Sequence, residues 1–266
     1  MNRILSCYGI IGAMDTEIQM IRDKMDYCRT NSLYGLTFYQ GRIAGMDVVV
    51  AKCGVGKVNA ARCAQILIDR SNPDYLINTG VAGGVGPGLK VGDMVLSTDL
   101  VQHDFCMKAL GCVDGCQTLE GPKDQPTWFH ADEGLLTRFE RVAQEMAGES
   151  AVHRGRIASG DTFVADRDAQ KRIYETFDAL ACEMEGAAIA QVAQAANVPF
   201  LVGPSQTWRT APLPNPTPHL NGTRPSFLLL CCSDFLKTRN KHKTKAGEAF
   251  LLLLLFRLHS ISAGNR

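Results

Sequence analysis

The amino-acid sequence predicts a single α/β domain with a central mixed β-sheet covered by helices on both faces. From the start to about Val202, apolar strand-like runs alternate with longer segments of helical periodicity, which is typical of this class. After Val202 the pattern stops, and six of the eleven prolines lie between Pro204 and Pro225. The sequence therefore divides into a folded domain, residues 1–202, and an aberrant, poorly ordered tail, residues 203–266.

Each predicted element follows from its local pattern. Short apolar runs rich in valine and isoleucine predict strands, and apolar residues three and four apart predict helices. The predicted strands cover residues 6–14, 47–52, 75–78, 93–98, 156–159, 180–182 and 199–202, and the predicted helices cover residues 56–70, 133–147 and 186–196. Residues 79–84, which contain three glycines, are expected to form a ligand-binding loop at the end of a strand, since glycine permits tight turns and close backbone approach.

The composition excludes several classes of protein. With 28 basic and 27 acidic residues, the chain has no net charge that would attract nucleic acid or an anionic membrane. The only long apolar tract, Phe250 to Phe256, is far shorter than the roughly 20 residues that cross a bilayer. Ten scattered cysteines lack the paired spacing of a secreted disulfide scaffold, so we expect a cytoplasmic protein.

Motifs for phosphate loops, zinc and catalytic triads fail on inspection. Gly54-Val55-Gly56-Lys57 lacks the first glycine and the final Ser or Thr of a Walker motif, and Asn59 replaces the third glycine of a dinucleotide fingerprint. No serine lies in a Gly-x-Ser-x-Gly elbow. The possible metal ligands His103, Asp104, Cys106, Cys112 and Cys116 lack the second cysteine pair of structural zinc. We expect no metal and no organic cofactor.

Five motifs in order resemble those of the 5′-methylthioadenosine/S-adenosylhomocysteine nucleosidases, within the purine nucleoside phosphorylase superfamily. Acidic residues gather in them at predicted strand ends, where α/β proteins bind ligands. The motifs are Ile10-Ile11-Gly12-Ala13-Met14-Asp15-Thr16-Glu17, Asn78-Thr79-Gly80-Val81-Ala82-Gly83-Gly84, Leu89-Lys90-Val91-Gly92-Asp93, Ser159-Gly160-Asp161-Thr162-Phe163 and Glu183-Met184-Glu185-Gly186-Ala187. The resemblance implies the three-layer fold of nucleoside phosphorylases, a homodimer and hydrolysis of the N-glycosidic bond.

The resemblance also implies roles for individual residues. Glu17 matches the general base that activates the water, and Glu185 matches the acid that binds the ribose hydroxyls. The other matched positions would line the nucleoside pocket: Met14 and Met184 beside the ribose, Phe163 and the backbone of Val164 around adenine, and Val81, Ala82 and Gly83 in the glycine-rich segment. Val81 stands where some relatives have serine, so this chain lacks that hydroxyl beside the water.

The family pattern breaks after Val202. Relatives continue with Arg-Ala-Ile-Ser-Asp, whose aspartate is the general acid toward adenine N7, whereas Thr207 stands at that position here. An aliphatic hydroxyl is too weak an acid for this task. Residues 202–210 can be encoded as GTC GGG CCA TCT CAG ACA TGG CGG AC. Read from the last base of the valine codon, the same bases encode Arg-Ala-Ile-Ser-Asp-Met-Ala-Asp, so we hypothesise a frameshift near Val202.

Three functions remain open from the sequence. The first is the nucleosidase, with very low activity expected in this chain because the acid is missing. The second is a phosphorylase of the same superfamily, which Glu17 at the water position and the absence of arginine near Gly80 to Gly84 disfavour. The third is a non-catalytic protein that binds adenosine compounds through Phe163 and Glu185. An alternative to the frameshift is a genuinely divergent C-terminus.

Overall fold

The computed structural model describes residues 7–208, which form one mixed sheet and five α-helices. The strands are β1 (Cys7–Gly12), β2 (Asp26–Leu33), β3 (Leu36–Ile43), β4 (Met46–Lys52), β5 (Tyr75–Gly84), β6 (Met94–Gln102), β7 (Phe129–His130), β8 (Val152–Ser159), β9 (Ala179–Glu183) and β10 (Phe200–Trp208). The helices are α1 (Asp15–Asp23), α2 (Lys57–Ser71), α3 (Glu133–Ala147), α4 (Arg167–Phe177) and α5 (Gly186–Ala195). The predicted α/β class with a mixed sheet is confirmed.

The sheet combines an open arm with a closed ring of strands. In the arm, β1 lies between β4 and β5 and is parallel to both, and β3 and β2 continue from β4 in antiparallel fashion. In the ring, β5 pairs with β10, β10 with β6, β6 with β8, β8 with β9 and β9 again with β5. β7 pairs with β6 outside the ring. The ring holds the ends of its strands near one another, which brings distant parts of the sequence together.

Helices cover both faces of the sheet, as the alternating side chains of β1 illustrate. Ile11 packs in a cluster with the apolar residues of α2 and α5, whereas its neighbour Ile10 packs with those of α1 and α3. On α2 the buried residues Ala60, Cys63, Ala64 and Leu67 have the spacing of one helical face. The protein is therefore a three-layer α/β/α structure with apolar cores on both faces of the sheet.

The predicted strands and helices all have counterparts, although most strands are longer than predicted. The prediction of a loop at residues 79–84 is wrong, because this segment continues β5 to Gly84 and is held extended by pairing with β9 and β10. Sequence periodicity also missed β2, β3, β7, α1 and α4. β2 is exposed along almost its whole length and so has no apolar alternation, and α4 buries only Ile173 and Phe177.

The C-terminal strand extends past the boundary expected at Val202. β10 runs to Trp208, and its register with β5 shifts between Val202 and Ser205. The rest of the expected tail, from residue 209 onward, lies outside the described residues. Within residues 7–208, no helix combines the length and apolar character needed to cross a membrane.

Candidate active site

Five segments that follow strand ends meet at one edge of the sheet. They lie after β1, β4, β6, β8 and β9, and they contribute Glu17, Gly56, Asp104, Asp161 and Glu185. β4 is parallel to β1, and β6, β8 and β9 run parallel to one another, so the carboxyl ends within each group point the same way. Side-chain hydrogen bonds join the segments of Gly56, Asp104, Asp161 and Glu185 to one another. Backbone bonds from Cys53 to Gly12 and from Gly54 to Ala13 join the segment of Glu17 to the one that follows β4. This is the edge at which α/β sheets bind ligands.

Glu17 lies at the start of α1 and is buried, with 7% of its surface exposed. Its Oε2 atom accepts hydrogen bonds from the amides of Ala13, at 2.7 Å, and Met14, at 2.9 Å. A methyl group added at Gly80 of β5 would lie 3.0 Å from Oε1 of Glu17. Glycine at position 80 therefore leaves the room that the carboxylate occupies between β1 and β5.

The two amide bonds permit a structural interpretation of Glu17 as well as a catalytic one. A glutamate in the first turn of a helix commonly accepts a hydrogen bond from the residue that caps the helix, here Met14. However, a capping glutamate is usually exposed, whereas Glu17 is buried. Its charge also helps to raise the pKa of a second acid, Glu185. Capping accounts for the two hydrogen bonds to Oε2 of Glu17. The other carboxylate oxygen, Oε1, lies on the side of Gly80.

Glu185 connects the end of β9 to α5, and its carboxylate is bound by a distant amide. Its Oε1 atom accepts a hydrogen bond of 2.7 Å from the amide of Gly56, 129 residues away in the sequence. Burial raises the pKa of Glu185 to about 8, and the charges of Glu183 and Glu17 add to the effect, while the Gly56 amide opposes it. Glu185 is thus a carboxyl group that gains and loses its proton near neutral pH.

Glu183 is a supporting residue to which the sequence motif assigned no role. Its carboxylate accepts hydrogen bonds from the amides of Glu185, at 2.8 Å, and Gly186, at 2.7 Å, and from the hydroxyl of Ser159. Ser159 in turn accepts a hydrogen bond from the amide of Ala187. Burial raises the pKa of Glu183, and these donors act in the opposite direction. Glu183 and Ser159 together cap α5 and fix the backbone that carries Glu185.

The remaining predicted pocket residues lie on the same segments. Phe163, with 39% of its surface exposed, and the buried Val164 lie between β8 and α4, close in sequence to Asp161. An aromatic side chain that is half exposed at a cleft can stack on a planar ligand. The others are part of the turn before α1, of β5 and of the turn before α5: Met14, Val81, Ala82, Gly83 and Met184.

Position 207, where the family pattern has an aspartate and this chain has threonine, lies on β10, which pairs with β5. Thr207 of β10 pairs with Ala82 of β5, and the flanking pairs join Gln206 to Val81 and Trp208 to Gly83. The backbone of position 207 is thus adjacent to predicted pocket residues. An acidic side chain introduced there would start from a strand next to the cleft.

The arrangement suits chemistry on a polar, uncharged ligand. Two carboxylates can accept hydrogen bonds from hydroxyl groups, one of them can take a proton from water, and both favour positive charge that develops between them. Among residues 7–208, no group of three or more His, Cys, Asp or Glu side chains is arranged to hold a metal ion. Hydrogen bonds and charge interactions therefore bring Glu17, Glu185 and Asp161 together at one edge of the sheet, and Phe163 follows Asp161 by two residues in the sequence.

Comparisons with known proteins show the family to which the chain belongs. Residues 8–203 match the phosphorylase superfamily. The chain is 41% identical over 195 residues to the 5′-methylthioadenosine/S-adenosylhomocysteine nucleosidase of Tolumonas auensis, and the match covers 73% of this chain and 82% of the relative. The corresponding nucleosidase of Bacillus thuringiensis is 40% identical over the same shares of the two chains.

Solved structures show the same similarity. The nucleosidase of Neisseria meningitidis, in complex with methylthio-immucillin-A, has a TM-score of 0.76 and 32% identity, covering 95% of this chain and all of that one. The S-adenosylhomocysteine nucleosidase of Streptococcus pyogenes, in complex with 5-methylthiotubericidin, has a TM-score of 0.78 and 29% identity, covering 97% of this chain and 99% of that one. The chain therefore belongs to the 5′-methylthioadenosine/S-adenosylhomocysteine nucleosidases of the phosphorylase superfamily.

Proposed function

We propose that this protein is built to hydrolyse the N-glycosidic bond of 5′-methylthioadenosine and S-adenosylhomocysteine, releasing adenine and the thio-ribose. The observation that carries the proposal is the meeting of Glu17 and Glu185 in one cleft, in a chain of this family. In the reaction, a water oxygen bonds to C1′ of the ribose while the C1′–N9 bond breaks. The electron pair of that bond leaves with adenine, which takes up a proton.

Each acidic side chain fits one requirement of this reaction. Glu17, held by the amides of Ala13 and Met14, accepts the proton of the attacking water. Glu185, in its ionised form, binds the ribose hydroxyls and stabilises the positive charge that builds up on the sugar. Because the pKa of Glu185 is raised to about 8 by burial and by neighbouring charge, nucleoside binding should strengthen as the pH rises through that value.

The uncharged residues complete the pocket. Phe163 stacks on adenine and the backbone of Val164 contacts its edge. The other members contact the ribose or line the cleft beside it: Met14, Val81, Ala82, Gly83 and Met184. No metal or organic cofactor has a step in this mechanism.

This chain lacks the family's general acid, which protonates adenine as it leaves. Thr207 stands where the family pattern has its general acid, and loss of a general acid lowers the rate by roughly 10² to 10⁴-fold. We infer a frameshift near Val202, so that residues 1–202 carry the pattern of the nucleosidase domain and residues 203–266, of which 203–208 complete β10, are an aberrant continuation. The activity of this particular chain is accordingly expected to be very low.

Two further properties belong to the proposal. The eight cysteines of residues 7–208 are all free thiols, which supports a reducing, cytoplasmic location. The family resemblance favours a homodimer, and the substrates would place the protein in methionine salvage. Neither nucleic acid nor a membrane is an expected partner.

Two alternatives are separated from hydrolysis by one observation each. A phosphorylase would use phosphate in place of water, so its release of adenine would depend on phosphate. The presence of Thr207 favours a non-catalytic protein that binds adenosine compounds. The predicted binding residues Phe163 and Glu185 are present in this chain, but the general acid is missing. Binding of the nucleoside without turnover would identify that case.

The test is an assay of adenine release from S-adenosylhomocysteine, with and without phosphate. It compares the chain as it stands with a version restored to the other reading frame after Val202. We expect phosphate-independent release by the restored version and very little by the chain itself. Equal activity in both would contradict the assignment of the missing acid and require another residue to protonate adenine.

A further inference from the structure

Three segments around the cleft are tied together by a set of ionic and backbone hydrogen bonds. The Nζ atom of Lys57 lies 2.5 Å from Oδ1 of Asp104 and 4.0 Å from Oδ2 of Asp161. The amide of Lys57 donates to Oδ1 of Asp161, and the amide of Asp161 donates to Oδ2 of Asp104, both at 2.8 Å. We call these three residues the Asp104–Lys57–Asp161 network. It joins the segments that follow β4, β6 and β8.

At neutral pH the ammonium group of Lys57 and the carboxylate of Asp104 stabilise each other in their charged forms. Burial alone would raise the pKa of Asp104, but hydrogen bonds from the Lys57 ammonium and the Asp161 amide outweigh it and lower the pKa. The side chains of Lys57 and Asp104 are 16% and 26% exposed, so water screens their ion pair only in part. Asp104 therefore remains ionised and paired throughout the neutral range.

The network ends at the amide that binds Glu185. Gly56 directly precedes Lys57, and the two successive amides of this turn point to two different carboxylates: that of Gly56 to Glu185 and that of Lys57 to Asp161. Gly56 has φ of 95°, and a methyl group there would lie 3.0 Å from Oδ1 of Asp161. The turn is thus held against Asp161 in a conformation that favours glycine.

We propose that Asp161, Lys57 and Asp104 are positioning residues that hold the Gly56 amide against Glu185 and so favour the ionised form of this carboxylate, which binds ribose hydroxyls. The role assigned to Glu185 rests on the proposed function. None of the three residues has to touch the substrate for this effect. They act through the peptide group of Gly56.

The groups that face Glu185 explain why one amide matters. Glu183 lies beside it on the same turn, Glu17 faces it from the start of α1, and Cys53 lies next to it at the end of β4. Burial and the charges of Glu183 and Glu17 favour the protonated carboxyl, whereas the Gly56 amide and, to a smaller extent, the Met184 amide favour the ionised form. Removing or displacing the Gly56 amide should therefore raise the pKa of Glu185 further.

Asp161→Ala gives a test in which two explanations predict opposite signs. If Asp161 acted on Glu185 only through its charge, removing a negative charge would lower the pKa of Glu185. If Asp161 acts by holding the Gly56 turn, the same substitution raises that pKa. Asp104→Ala has the same logic and serves as a second variant should the first fail to fold. Asp161→Asn keeps an oxygen acceptor for the Lys57 amide and should behave like the wild type.

The measurement is the affinity of the full chain for a C-nucleoside analogue of 5′-methylthioadenosine, in which a carbon–carbon bond replaces the glycosidic bond. We expect Asp161→Ala to bind about tenfold more weakly at pH 7 but within about twofold of wild type at pH 10, where Glu185 is ionised in both. Glu175→Ala removes an exposed carboxylate that pairs with Lys171 on α4 and is the matched control. Circular dichroism at each pH checks the fold.

An equal loss of affinity at pH 7 and pH 10 would overturn the proposal, since a general structural defect has that signature. If the wild-type chain does not bind the analogue at all, the proposed function fails by itself. The titration of Glu185, followed by carboxyl ¹³C NMR, then decides the positioning role independently. An upward shift in Asp161→Ala supports it, and no shift or a downward shift refutes it.

Discussion

At the scale of single residues, the cleft holds acids in an environment that opposes their charge. Glu185 is buried beside Glu183 and Glu17, and its pKa is raised to about 8 by burial first and by these charges second. A carboxyl group of this kind destabilises the folded state whenever it has to be ionised. The arrangement is understandable if the ionised form is what binds and stabilises the substrate.

Glu185→Gln should therefore stabilise the fold in a pH-dependent way. The folded pKa of about 8 lies above the ordinary value of 4.5, so the folded state holds the extra proton and the wild type loses stability as pH rises between these values. The glutamine variant lacks this loss, and its advantage should grow from pH 4.5 to 8 to on the order of a few kcal/mol. Urea unfolding across this range measures it.

The control for that measurement is Glu175→Gln, which changes an exposed glutamate of α4. Its stability relative to wild type should not follow the same pH profile. A constant difference between Glu185→Gln and wild type from pH 5 to 9 would show that Glu185 has an ordinary pKa.

Phe163→Ala should weaken the binding of free adenine roughly tenfold, because base stacking on an aromatic ring contributes about 1–3 kcal/mol. Phe163 is 39% exposed, whereas the next residue, Val164, is buried in the core. Truncation of the Phe163 side chain should therefore leave the core intact. Calorimetry with adenine measures the loss. Phe163→Tyr, which keeps the ring, should retain most of the affinity, and its failure to do so would argue against stacking.

At the scale of elements, the site depends on strands that approach closely where side chains are small. β1 and β5 run side by side, and Gly80 of β5 lies against the Glu17 carboxylate with no side chain between them. The side chain of Asn78 donates to the carbonyl oxygen of Ile11 and ties the same two strands together just before the cleft. The glycine-rich part of β5 is thus a strand that leaves room for the Glu17 carboxylate, and it is not the loop that the sequence predicted.

Gly80→Ala should reduce hydrolysis with little loss of stability. Its methyl group would lie 3.0 Å from Oε1 and 3.3 Å from Cδ of Glu17, so the carboxylate has to shift. In the version restored to the other frame, we expect a roughly 10 to 100-fold fall in kcat, since general-base catalysis requires hydrogen-bond geometry. Gly134→Ala on α3, where the added methyl group would meet Asp132 and not Glu17, is the control, and unchanged kcat in Gly80→Ala would exclude Glu17 as the base.

At the scale of the whole molecule, the closed ring of strands decides which residues meet. β10 lies between β5 and β6, and the amide of Val202 donates to the buried hydroxyl of Ser97 on β6. This contact joins residues 105 positions apart in the sequence. A change between Val202 and Trp208 therefore acts on a strand that closes the ring.

Ser97→Ala should destabilise the domain by about 1–3 kcal/mol, because it leaves the buried amide of Val202 without its acceptor. Denaturant unfolding followed by circular dichroism measures the change. Ser32→Ala, at an exposed position of β2, removes a hydroxyl from the open arm and should cost much less. Equal effects of the two substitutions would mean that closure of the ring contributes little to stability.

Local sequence patterns and tertiary contacts determine different parts of the fold and of the site. Local periodicity predicted the α/β class and strands such as β4, because the apolar pattern of a buried strand lies within the strand itself. It missed β2, whose exposed residues carry no such pattern, and it misread residues 79–84, whose extended form depends on pairing with β9 and β10. Glu17 and Glu185 were found through ordered motifs, whereas Glu183 had no separate signal.

By itself, the sequence determined the family, the two principal acids and the presence of Thr207 where the family pattern has an aspartate. These are properties of residue identity and order, which need no knowledge of neighbours in space. Only the tertiary structure decided that Gly56 binds Glu185 and that Lys57 and Asp161 hold that turn. Such contacts join residues more than a hundred positions apart. They depend on the order of strands in the sheet, which no local pattern encodes.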